Sequence, residues 1–189
     1  MTRLSRLLCM ACVFPWMVAA SGHPATVVDA HAICHSSAQE AAVAGLLAAA
    51  ASSRRLEYGG AIFRRDADCF VHSVPVTSNL PDRLGYVVIF PHGHLKLAGI
   101  YHTHTPGGHA QTFSAADVDA HLQLGVPSYL GTLQYKGCNL TVRSLTGSGS
   151  HGHRIRVEVI GDFSYQSTQP GRSDPPWSLD AACMSLKLP

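Results

Sequence analysis

Twelve histidines are spread along this 189-residue chain, and one pair stands where imidazole nitrogen can do chemistry. It lies in the run Tyr101-His-Thr-His-Thr-Pro-Gly-Gly-His-Ala-Gln-Thr-Phe-Ser-Ala-Ala-Asp117. If residues 95–104 are extended, His102 and His104 project from one face, because strand side chains repeat every second residue. Two imidazoles so placed converge on one ion. Zinc accepts histidine nitrogen and carboxylate oxygen at about 2.0–2.2 Å, so Asp117, arriving across the glycine-bearing loop, would complete three protein ligands and leave a fourth position for water. Ser114 and Asp117 are i, i+3 neighbours at a helix start. The same Ser-x-x-Asp is a helix-capping pattern that needs no metal, and the two roles are compatible.

The other histidines offer less. His92-Gly-His94 falls in a turn-like segment, and His151-Gly-His153 follows a Gly/Ser-rich stretch; neither has an acid placed as Asp117 is. His31 and His35 have the i, i+4 spacing of a helical zinc site, but Ala32 stands where that motif needs its glutamate. His109 reads as a loop residue, Tyr101 and Phe113 as packing that frames the ligands, and Asp119 as an exposed position on the short helix.

The elements that must position these side chains follow from pattern. The alanine-rich Ser36 to Ser53 predicts a helix. Gly59 to Phe63 and Cys69 to Val76 predict a hairpin around polar Arg64 to Asp68, and Gly85 to Phe90 with Leu95 to His102 predict a second strand pair around Pro91 to His94. Ser114 opens a helix reaching about Leu124 and stopped by Gly125. Tyr129 to Tyr135, Asn139 to Leu145 and Arg154 to Ile160 predict three further strands. The sum is an α/β or α+β domain around a mixed, mainly antiparallel sheet flanked by helices. It divides as a leader over 1–22, a domain over 23–163 and a Ser/Pro-rich tail over 164–189.

In this order the residues resemble the JAB/JAMM (MPN) metalloprotease signature: a glutamate, then His-x-His, a glycine-bearing loop and Ser-x-x-Asp. Glu57 matches the glutamate, in Leu-Glu-Tyr-Gly-Gly-Ala-Ile-Phe, and the likeness spans roughly residues 36–135, as in a bacterial JAB-like family of uncharacterised function. Two departures concern the loop: Pro106 sits one place later than the usual proline, and Ser114 lies ten residues after His104. The resemblance implies a cytidine-deaminase-like core and a zinc ion on His102, His104 and Asp117. It implies Glu57 as the base that takes and returns the water proton, and Ser114 as an oxyanion donor. A bound water would titrate near pH 7, and a donor of that kind is worth about 3 kcal/mol elsewhere. The implied activity is hydrolysis of a peptide or isopeptide bond, in cell-wall peptide or a secreted protein. The alternatives are an inactive JAB-like binding module and a zinc deamidase.

Composition sets the surroundings. Arg3 and Arg6 precede the apolar Leu7 to Ala20, with small residues at Ala19 to Gly22, which predicts an export signal cleaved after Ala20 or Gly22. The apolar run is short of the ~20 residues that span a bilayer. Removing the two leader arginines from 14 basic residues leaves 12 against 12 acidic ones. No basic field remains to attract phosphate backbones, which argues against nucleic acid as a partner. Cys34, Cys69, Cys138 and Cys183 form an even set, expected in an exported chain to make two disulfides in any of three pairings. Oligomeric state is not encoded in these patterns.

Overall fold

The computed structural model describes residues 33–52, 56–77, 94–105, 111–133, 139–147 and 155–164. The leader, the expected strand at 85–90, His31, His92, His109, the His151/His153 pair, Cys138, Cys183 and the tail beyond Ser164 lie outside them. In chain order the elements are α1 (Ala38–Ser52), β1 (Gly59–Asp66), β2 (Cys69–His72), β3 (Lys96–His104), α2 (Ala115–Leu124), β4 (Ser128–Leu133), β5 (Asn139–Thr146) and β6 (Arg156–Ser164). The strands form one sheet in the order β2-β1-β3-β4-β5-β6. β3 and β4 are parallel and every other neighbouring pair is antiparallel. The architecture is mixed α+β.

α1 lies across one face of the sheet, over β1 to β4. Ala41, Ala42, Leu46, Ala49 and Ala50 are buried there against Ile62, Tyr101, Tyr129, Leu133, Leu140 and Val142. The small residues permit a close approach: a methyl added at Gly45 would stand 2.8 Å from the Tyr101 ring. Ser37 Oγ accepts the Glu40 N–H at 3.1 Å and fixes the start of the helix. A disulfide between Cys34 and Cys69 ties the segment before α1 to the start of β2. His35 and Phe70 exchange two backbone hydrogen bonds of 2.9 Å beside it. Of the bridges open to the sequence, this one is present; Cys138 and Cys183 lie outside the described residues.

Parallel strands need a crossover, and α2 supplies it between β3 and β4. Leu130, Leu145, Phe113 and Val118 form a second cluster, on the face opposite Tyr101 and Tyr129, since successive strand residues alternate. That face also carries His102 and His104.

Most element boundaries differ from expectation by a residue or two, and β1, β2 and β6 differ by more. β1 continues through Arg64 and Arg65 to Asp66, so the turn is only Ala67-Asp68. Polar residues at the far end of a strand keep one face in water while their backbones still pair. β2 ends at His72, and Val76 returns only as an isolated bridge to Gly59. β6 extends to Ser164 through a bulge: Val142 pairs with Gly161 and Arg143 with Val159, so Ile160 is the extra residue. The bulge shifts parity, which lets both Ile160 and Phe163 pack against the α1-side core.

Candidate metal centre

β3 brings the histidines to the site. It is flanked by β1 and β4, which buries its C-terminal end: His102 is 7% exposed and His104 9%. Their Nε2 atoms stand 3.2 Å apart. Phe113 packs edge-on to the His102 ring at a centroid distance of 6.3 Å. Gly59 pairs with His102 across the ladder and so puts no side chain beside it.

α2 brings the acid. Ser114 is the N-cap and Asp117 the N3 residue of a reciprocal capping box. Asp117 Oδ2 accepts from the Ser114 N–H and hydroxyl, each at 2.7 Å, and the Asp117 N–H donates to Ser114 Oγ at 3.3 Å. The same carboxylate faces the histidines, with Oδ1 3.2 Å from His102 Nε2 and Oδ2 3.7 Å from His104 Nε2. Burial pushes the Asp117 carboxyl up. The hydrogen bond and charge of His102, with the Ser114 hydroxyl and N–H, outweigh that and hold it well below the usual carboxylate range.

The far end of α2 is fixed as well. Gly125 takes the left-handed conformation at φ 65° and its N–H donates to His121 O. His121, 2% exposed, sets its ring nitrogens 2.7 Å from Val126 O and 3.0 Å from Gly147 O. α2 is thereby held between the sheet end at Gly147 and the histidines of β3.

His102, His104 and Asp117 form a group able to hold a metal ion, with one donor atom from each within 4.8 Å of the others. Bonds of 2.0–2.2 Å at tetrahedral angles separate ligand atoms by about 3.3–3.6 Å. The imidazole Nε2 atoms, 3.2 Å apart, and the nearest carboxylate oxygens, Oδ1 at 3.2 Å from His102 and Oδ2 at 3.7 Å from His104, lie close to that range. Two imidazoles and one carboxylate are also a donor set that zinc takes in open sites.

Glu57 stands just before β1 and is 9% exposed, not an exposed charge closing the first helix, which ends at Ser52. The Thr103 N–H donates to Tyr58 O at 2.8 Å and the Tyr58 N–H to Thr103 Oγ1 at 3.1 Å. Gly59 is the residue paired with His102, and Glu57 precedes Gly59 by two positions. Ser114 is exposed, and its hydroxyl proton goes to Asp117. Phe113 is buried beside His102 and Asp119 is exposed, as the sequence implies; Tyr101 is buried packing too, but on the α1 face and not framing the ligands. His94, at the edge of the turn-like segment, is exposed too. His121 and Arg143 carried no sequence signal, because their partners come from other elements. Compared with known protein families and with curated proteins, the sequence matches none.

Proposed function

We propose that the chain is an exported zinc-dependent hydrolase acting on a peptide or isopeptide bond, in the manner of the JAMM metalloproteases it resembles. The observation that carries this reading is the convergence of His102, His104 and Asp117, delivered by two different elements, into one group able to hold a metal ion. His102, His104 and Asp117 would hold a zinc ion, which would supply Lewis acidity and a water of pKa near 7. Glu57, buried just before β1, is the base that takes a water proton and returns it to the leaving amine. Ser114 turns its hydroxyl from Asp117 to the developing oxyanion. The disulfide between Cys34 and Cys69 and the apolar leader sequence support export. Among the described residues no helix is long and apolar enough to cross a membrane.

One observation favours a binding module instead: the single Ser114 proton is already engaged by Asp117. Metal analysis and turnover separate the readings. The purified mature protein should carry close to one zinc per chain, lost in His102→Ala. Glu57→Gln should keep the zinc while turnover of peptide, isopeptide or peptidoglycan-fragment substrates falls about 10²–10⁴-fold, the usual worth of a positioned base. Protein that stays zinc-free after refolding with zinc would end the hydrolase reading. Full zinc with no turnover on any of these substrates would favour the module.

A further inference from the structure

The sheet face that carries the metal-binding group continues beyond it across β4, β5 and β6, and its register defines what lies there. Directly paired residues share a face. One row runs from His104 to Thr132, Thr141 and Asp162, and the next from His102 to Leu130, Arg143 and Val159. Arg143 is therefore a cation on the same face as the ligands, two strands away. At about 4.8 Å per strand, its backbone stands roughly 10 Å from that of His102. Its guanidinium reaches back toward β3, donating to Thr132 Oγ1 at 3.2 Å, and Thr132 is the residue paired with His104.

Arg143 is half-buried, and among the described residues Thr132 is its one hydrogen-bonding partner. The nearest acid by register is Asp162. That carboxylate takes the Thr141 hydroxyl at 2.5 Å and makes no ion pair with Arg143. With most of its five donors unused by the described residues, this half-buried guanidinium suits a planar anion. Beside it Val159, directly opposite in the ladder, is 63% exposed and Val157 47%. Cation and apolar strip lie together on one side of the metal-binding group.

We infer that Arg143 is a substrate-binding residue that takes a carboxylate one or two residues from the scissile amide, with Val159 against the neighbouring side chain. The backbones are roughly three residues of extended peptide apart at about 3.3 Å per residue, and the guanidinium, reaching back by about one strand to Thr132, shortens that to one or two. The preferred substrates are then short acidic or C-terminal peptides, not the interior of a neutral chain. This inference rests on the hydrolase reading for what the subsite serves, but not for its existence.

The test compares N-acetyl-alanyl-glycine with its C-terminal amide, by calorimetry and by the Arg143 Nε–H resonance, on zinc-loaded and metal-free protein. The acid should bind at least tenfold tighter than the amide in both forms and shift the Arg143 resonance. Arg143→Gln should remove the preference with zinc content unchanged. Arg143→Lys should keep part of it, because lysine retains the charge and loses the fork. Equal binding of acid and amide to the wild type would overturn the inference. So would a preference that survives in Arg143→Gln, which would place the carboxylate on the metal. An Arg143-dependent preference in a protein that hydrolyses nothing would support the subsite and remove the hydrolase reading.

Discussion

Asp117 holds two positions at once. Oδ2 closes the capping box with Ser114 and faces His104, while Oδ1 meets His102. The hydrogen bonds that make it a good N3 residue also keep it ionised, which is the state a metal ligand needs. Its depressed pKa has a consequence for the metal-free protein. A carboxyl whose folded pKa lies below its unfolded value contributes stability above the unfolded pKa, here close to 3.8, and loses it as pH falls toward the folded value. Asp117→Asn should therefore lower the midpoint of urea unfolding at pH 6, and the gap to wild type should narrow steadily below about pH 4. A gap independent of pH would show that the carboxylate is not held ionised by these partners.

At the scale of elements, α2 is the part that makes the site. β3 alone offers two histidines; α2 delivers the acid, with the capping box fixing the end that carries Asp117 and Gly125 and His121 fixing the other. Gly125 gives a clean measure of that second anchor. A Cβ there meets nothing within 4 Å, so a substitution is felt only through the positive φ of 65°. Gly125→Ala should cost about 1 kcal/mol, read as a fall of about 2–4 °C in Tm, with zinc stoichiometry unchanged. Loss of zinc in this variant would mean that the C-terminal anchor also sets the position of Asp117. The bulge in β6 acts similarly on a smaller scale: without the parity change at Ile160, Phe163 would leave the α1-side core and Asp162 would leave the row of Thr141.

For the molecule as a whole, the sheet is covered on one face by α1 and partly on the other by α2. The Cys34–Cys69 disulfide, with a sequence separation of 35, encloses α1 and β1 in one loop. In the chain-entropy model a crosslink of that span stabilises by about 3–4 kcal/mol. The double variant Cys34→Ser with Cys69→Ser should unfold at correspondingly lower urea, and reductant should shift the wild type toward the same midpoint. Identical midpoints with and without reductant would show that the crosslink adds nothing to the folded state. The loss should reach the metal site only indirectly, since α1 and the ligands lie on opposite faces of the sheet.

Local pattern was enough to read α1, the β1–β2 hairpin, α2 with its glycine stop, and the strands now seen as β3 to β6, because helix capping, strand alternation and turn chemistry act over a few residues. The same range covers His102 and His104 on one face and Ser114 with Asp117 on one helical turn. The order of His102, His104 and Asp117 already pointed to one ligand set across the β3–α2 connection, but the chain alone gave no distances between distant segments. Tertiary structure decided how closely Asp117 approaches the histidines and that Cys34 takes Cys69 among the available cysteines. It buried Glu57, bracketed His121 between Val126 and Gly147, and put Arg143 on the ligand face. Each of these depends on sheet order and register, and those are fixed by packing between residues tens of positions apart. A one-residue slip in the pairing of β4 with β5 would have turned Arg143 to the α1 side, and no local feature of its sequence would have changed.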